Sequence, residues 1–177
     1  DLLSLNNVDQ IRGIKKGELD ISFTRDNFQS DEIESKFVLR EPLIFILPKE
    51  HPLAKYERIP VQALDGIDFI IPSDEQSKML HDAILNFAKD HGIEFNIVQK
   101  ADNILFNINS IGIGLGCTIL PGYIATLTMN NTVIRPLDVE LPSLDLFVSY
   151  RKNSNSTAVQ KFMDLLSKVF YLDFNQS

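Results

Sequence analysis

The sequence DFIIPSDEQSKMLHDAILNFAKDHGIEFNIVQKADNILFNINSI, residues 68–111, alternates between two hydrophobic periods. Asp68 to Ile71 and Phe95 to Lys100 are short apolar runs that predict strands. Between them, from about Gln76 to His91, Leu80, Ile84, Leu85, Phe87 and Ala88 recur at spacings of three and four, while Lys78, Asp82, Lys89 and Asp90 face the other way. That stripe predicts an amphipathic helix. A shorter helix is expected from Asn103 to Ile111. Strand, helix, strand, helix is the order of a parallel α/β sheet, so the fold class is α/β.

The same alternation extends toward the N-terminus. Leu2 to Leu5 is a strand candidate, Asn6 and Asn7 turn the chain, Asp9 to Lys16 predicts a helix ended by Gly17, and Leu19 to Thr24 predicts a buried strand. Arg12, Lys15 and Lys16 sit toward the C-terminal end of that helix, where the dipole favours positive charge. A compact lobe rarely begins on a short exposed strand, so the chain is expected to start inside a larger protein. Further on, a strand pair is predicted at Glu34 to Arg40 and Leu43 to Leu47, with Pro48 and Pro52 marking the exit and a short segment at Val61 to Leu64.

Toward the C-terminus comes Gly112-Ile-Gly114-Leu-Gly116, followed by a strand at Cys117 to Leu120. A dinucleotide-binding glycine loop follows a strand and opens a helix; this one follows a helix and opens a strand. Its glycines instead predict a tight turn and close backbone packing. A helix near Tyr123 to Leu127, strands at Thr132 to Leu137 and Leu144 to Tyr150, and a last helix from Ala158 to Phe170 complete the chain. Val159, Phe162, Met163, Leu166 and Phe170 form the apolar face of that helix, which is expected to pack on the first lobe. Two lobes follow: residues 1–48 with 135–177, and residues 49–134. Two crossings between lobes make a hinge and a cleft.

Composition narrows the function. The 177 residues carry 17 basic and 24 acidic side chains, a formal charge of -7, which repels a phosphate backbone. The one cysteine, Cys117, has no internal disulfide partner, which fits a reducing, cytoplasmic setting; there the sequons at Asn155-Ser-Thr157 and around Asn131-Thr132 need no glycan. No apolar stretch reaches the ~20 residues of a membrane span. His81 and His91 lack the HExxH spacing, so no metal site is expected. There is no GxSxG elbow, no Walker loop and no Cys-x-x-Cys pair. Neither an enzyme nor a cofactor is expected.

Binding is the better reading. Asn6, Asn7, Ser73, Asp102 and Asn103 fall just after strands or at helix starts, where amides and short polar side chains converge on a small molecule. Each alone reads more simply as a turn or cap residue; their repeated placement favours a cleft. Helix amides and neutral side chains can hold a carboxylate without an arginine, and Phe106, Ile71, Ile104 or Tyr123 can meet an apolar ring.

Three blocks also carry a family resemblance: Gly17-Glu-Leu-Asp-Ile-Ser-Phe-Thr-Arg25, Glu41-Pro-Leu-Ile-Phe-Ile-Leu-Pro48 with His51-Pro-Leu-Ala54, and Ile113-Gly-Leu-Gly-Cys-Thr-Ile-Leu-Pro121. In order and spacing they resemble the effector-binding domain of LysR-type bacterial transcription regulators, over essentially the whole chain. Val98-Gln99, Asn103-Ile-Leu105 and Pro121-Gly-Tyr123 look most like regulators of hydroxycinnamate and 3-phenylpropionate catabolism. The resemblance implies a two-lobe, type 2 periplasmic-binding-protein-like domain whose first strand and helix are not represented. It implies an aromatic-acid effector held between the lobes, at Asn7, Ser73, Asn103 and Phe106. Asn7 stands where relatives often place a hydroxyl residue. It further implies a homodimer or homotetramer, and promoter DNA bound through a winged helix-turn-helix outside this chain. The main alternative is an extracytoplasmic solute-binding protein for a small organic acid.

Overall fold

The computed structural model describes residues 1–3, 5–127, 131–154 and 156–170; the sequon residue Asn155 lies outside them. The chain forms two compact units, one from Glu41–Leu144 and one from Asp1–Arg40 together with residues from Asp145 onward. Each has its own core.

The first unit opens on helix α1 (Asn7–Lys16), capped by Asn6, whose side chain accepts the Asp9 N–H at 2.9 Å. Gly17 ends α1 in the left-handed region (φ 75°), its N–H turned back to the carbonyls of Gly13 and Ile14. Strand β1 (Ile21–Thr24) pairs antiparallel with β7 (Ser143–Arg151), Ile21 opposite Tyr150, and β7 lies between β1 and β2 (Ile33–Pro48). Helix α4 (Thr157–Phe170) packs Val159, Met163 and Leu166 on Val38 and Val148, so the last helix does belong to this unit. Phe162 and Phe170, expected inward, are each 38 % exposed; Phe162 meets the edge of Phe23 at 6.2 Å.

Four expectations give way here. Leu2, Leu3 and Leu5 form no strand and are exposed, Ser4 lying outside the described residues. The described partner of β1 is the antiparallel β7, because pairing depends on a segment far away in sequence. The expected strand pair at residues 34–47 is one continuous strand: Glu41-Pro42 carries no turn signal, and proline's fixed φ suits extended chain. The units also divide at Arg40/Glu41 and Leu144/Asp145, not at residues 48 and 135. Leu43 to Ile46 pair with β5 (Thr118–Pro121), and Ile46 to Pro48 pair with β6 (Thr132–Ile134), all within the second unit. The returning chain is held there too, by Arg135 N–H to Phe45 C=O at 3.2 Å and Leu43 N–H to Pro142 C=O at 3.1 Å. Where the first unit's two segments end, the Arg40 guanidinium grips Asp145 through two hydrogen bonds of 2.7 and 3.1 Å.

The second unit contains the α/β alternation read from residues 68–111. Strand β3 (Asp68–Pro72) leads into helix α2 (Asp74–Asp90), and β4 (Asn96–Ala101) into α3 (Ile104–Gly112). β3 and β4 are parallel, Pro72 opposite Ala101. Leu80, Ile84, Phe87 and Ala88 of α2 are buried, while Leu85 is 44 % exposed. Phe69 is fully buried and stacks on Phe95 with ring centroids 4.1 Å apart.

The glycine run does what its position predicts. Gly114 takes φ 86° in the turn after α3. Gly116 then lays its backbone on β3 so closely that a Cβ there would stand 2.8 Å from the Asp68 carbonyl oxygen. The approach lets Cys117 N–H donate to Asp68 C=O and Ile70 N–H to Cys117 C=O, both at 2.8 Å. Gly116→Ala must force strand against strand; we expect a loss of about 1–3 kcal/mol, read from a lowered urea midpoint at unchanged slope.

The same packing buries Cys117 completely. Burial, helped by the Asp68 charge, pushes its thiol up to about 12 from the ordinary 9.0. The native state therefore holds the proton more tightly than the unfolded chain does. This contribution is complete below pH 9.0 and is lost as pH rises toward about 12. Urea midpoints measured across that window should fall more steeply for the unaltered chain than for Cys117→Ala; parallel curves would contradict this.

Candidate functional site

The parallel pairing of β3 and β4 fixes the geometry of the candidate site. Because both strands run the same way and each is followed by a helix, their carboxyl ends deliver two helix N-termini to one edge of the second unit. Ligands of open α/β sheets bind at such an edge, where free amides and the helix dipoles favour an anion. Ser73 and Asn103 stand at these two strand-to-helix junctions. The Ser73 N–H donates to Ala101 C=O at 2.9 Å, joining the junctions through the backbone.

The two junctions differ in their side chains. Ser73 is the N-cap of α2, yet its hydroxyl makes no capping bond, and the residue is only 5 % exposed. Helix α2 departs from helical geometry at Ser77 (φ −148°, ψ 70°), whose N–H bonds to the Ser73 carbonyl at 3.0 Å. Asn103 does cap: its Oδ1 accepts the Phe106 N–H at 2.8 Å. This commits the oxygen to the helix and leaves the side-chain NH2 as the group able to donate to a ligand.

Phe106 follows in the first turn of α3 and is 53 % exposed, an apolar surface beside polar caps. One turn beyond the cap, Asn107 is buried, and its Oδ1 accepts no hydrogen bond among the described residues. The sequence reading missed Asn107. Its signal in the sequence was an asparagine inside an apolar helix pattern; in the structure its N–H bonds back to Asn103 C=O at 3.1 Å. The rim carries a pair of charges: Lys100 Nζ lies 3.7 Å from Asp74 Oδ1. Asp74 is held below the usual carboxylate range by its own backbone N–H first, then by Lys100.

The first unit holds the fourth expected residue. Asn7 is the first residue of α1 and is half-buried; its Nδ2 donates to Asp26 Oδ2 at 2.9 Å. Asn6, not Asn7, caps the helix. Thr24 at the end of β1 bonds through its hydroxyl to Asp26 C=O at 2.8 Å, so one loop ties the strand end to the helix start. Thus Ser73, Asn103 and Phe106 share the second unit and Asn7 lies in the first.

The histidines are engaged with backbone: His81 Nδ1 lies 2.8 Å from Pro72 C=O, His91 Nδ1 lies 2.9 Å from Phe87 C=O, and His51 Nδ1 accepts the Leu53 N–H at 3.2 Å. Burial lowers the His51 pKa, with Asp68 opposing it. Among the described residues no three His, Cys, Asp or Glu side chains gather as metal ligands. No described helix is long and apolar enough to cross a membrane.

The fold is shared with known proteins. The chain is 33% identical over 168 residues to the Hca operon transcriptional activator HcaR of Escherichia coli (strain K12), covering 95% of this chain and 57% of that protein. It is 26% identical over 174 residues to the HTH-type transcriptional regulator CatR of Pseudomonas putida, covering 94% and 57%. The chain thus spans little more than half the length of these curated relatives. Among solved structures, the BenM effector-binding domain with its effector benzoate superposes with a TM-score of 0.81 at 16% identity, covering 97% of this chain and 78% of that one. The regulatory domain of Synechocystis PCC6803 CcmR in complex with 2-PG gives 0.78 at 20% identity, covering 97% and 81%. These likenesses establish the type 2 periplasmic-binding-protein-like α/β fold. The model of the LysR substrate binding domain matches residues 1–170, and the chain belongs to that family.

Proposed function

We propose that this domain senses a small aromatic carboxylate, of the hydroxycinnamate or 3-phenylpropionate kind, for a bacterial LysR-type transcription regulator. The observation that carries the reading is the meeting of two helix N-termini, with Ser73 and Asn103, at the joined carboxyl ends of β3 and β4. Backbone amides, the Ser73 hydroxyl and the Asn103 NH2 supply neutral donors for a carboxylate, and Phe106 offers a face for a ring. Asn7 is the fourth proposed contact. The relative named for the Hca operon and the benzoate-bound neighbour support the choice of an aromatic acid.

In this reading the domain performs no chemistry. The effector acts by binding one arrangement of the two units more tightly than another, since differential affinity is the only means by which a ligand shifts such an equilibrium. The charge of -7 fits a reading in which DNA is contacted by a different part of the full protein, a winged helix-turn-helix acting on a promoter from a cytoplasmic homodimer or homotetramer. That division fits relatives named as transcriptional regulators.

Asn103 gives the sharpest test because its two polar atoms have separate tasks. Asn103→Asp keeps a capping oxygen but replaces the NH2 donor with negative charge; Asn103→Ala removes both. In calorimetric titrations with cinnamate and 3-phenylpropionate, Asn103→Asp should weaken binding by roughly tenfold or more while leaving stability close to that of the unaltered chain. Asn103→Ala should weaken binding and also cost about 1 kcal/mol of stability through the lost cap. Unchanged affinity in Asn103→Asp would remove Asn103 from the site, and no heat with any aromatic acid would remove this effector class.

A further inference from the structure

The second unit also contains a cavity of about 270 Å3 that uses none of the residues proposed for the effector. Leu43 and Ile44 of β2, Ile134 of β6 and Leu141 supply apolar wall, and Arg58 and Arg135 are its two charged lining residues. Both guanidinium groups are held by the main chain. Arg58 Nη1 donates to Leu137 C=O at 2.8 Å; Arg135 donates through Nε to Ala54 C=O at 2.9 Å and through Nη1 to Ile134 C=O at 3.0 Å.

Carbonyl contacts orient a guanidinium without neutralising it. The ion pairs among the described residues use Arg12, Lys16, Lys36, Arg40, Lys78 and Lys100, and neither Arg58 nor Arg135. Asp138, beside Leu137, commits Oδ1 to the Val61 N–H at 2.7 Å. A chain with 24 acidic and 17 basic side chains thus places against one apolar hollow two arginines that have no carboxylate partner among the described residues. Planar donor forks of this kind match a carboxylate. The volume lies just below the ~300–1,000 Å3 typical of drug-sized ligands, which suits one ring or a short alkyl chain.

We propose that this cavity is a second anion site, which binds a small apolar monocarboxylate. Its hydrocarbon part lies against Leu43, Ile44, Ile134 and Leu141, and its carboxylate meets Arg58 and Arg135. The site lies wholly within the second unit and is independent of the Ser73–Asn103 edge, so the two can fail or succeed separately.

Octanoate is the test probe and octanamide its uncharged counterpart, in a 1H–15N NMR titration of the 177-residue chain. We expect saturable octanoate shifts centred on the amides of Phe45, Ile134 and Leu137, and octanamide binding weaker by roughly tenfold or more. Arg58→Gln and Arg135→Gln should each weaken octanoate by about tenfold, whereas Asn103→Asp should leave it unchanged. Equal binding of the amide, shifts centred on the Ser73–Asn103 edge, or no saturable shift would overturn the proposal. Arg135 ties two backbone carbonyls, so if Arg135→Gln fails to fold, the octanoate-to-octanamide ratio on the unaltered chain still decides.

Discussion

Strand β3 is held from both sides, and much of the second unit depends on that grip. On one side it pairs in parallel with β4; on the other, the backbone at Gly116 and Cys117 lies against Asp68 to Ile70. The second contact exists because residue 116 has no Cβ, which would stand only 2.8 Å from the Asp68 carbonyl oxygen. With β3 fixed, Phe69, Ile70 and Ile71 are buried, and burial of this apolar surface is the main favourable term in folding. The same fixation sets where β3 ends, and therefore where α2 begins. Since β4 pairs with β3 up to Pro72 opposite Ala101, past a register shift after Phe69, it also sets where α3 begins. Fold and candidate site are thus two consequences of one backbone arrangement.

The electrostatics of that edge favour a particular manner of recognition. Helix N-termini present amides and partial positive charge, while the nearby Lys100 is balanced by Asp74. A carboxylate placed there is met by oriented neutral donors, which need little rearrangement to receive it. Ser73 contributes a buried hydroxyl that makes no capping bond, whereas Asn103 commits its Oδ1 to the cap of α3 and keeps its NH2 as a donor. Such a site suits a sensor, whose task is to bind, release and transmit a preference between arrangements.

Much of this was legible in the sequence where the signal was local. The three-and-four spacing of Leu80, Ile84, Phe87 and Ala88 identified α2, and the glycine run in the wrong order for a nucleotide loop predicted close backbone packing, though not that its neighbour is β3. What was not legible depended on distant partners. Nothing near Leu19 to Thr24 announces that β1 pairs with residues 147–150, and nothing near Pro48 shows that residues 43–48 already belong to the second unit. Asparagines were ambiguous in a different way. Asn6, Asn7 and Asn103 share one chemistry, but the first caps α1, the second binds Asp26 and the third caps α3. Only the fold separates those tasks. Asn107 hid inside an apolar helix pattern.

In the proposed function a carboxylate sits at the joined ends of β3 and β4. A crystal structure of the chain grown with 3-phenylpropionate tests it most directly. The carboxylate is expected within hydrogen-bonding distance of Ser73 or the Asn103 side chain, with the ring toward Phe106. A ligand bound elsewhere in an otherwise unchanged fold, with that edge empty, would contradict it.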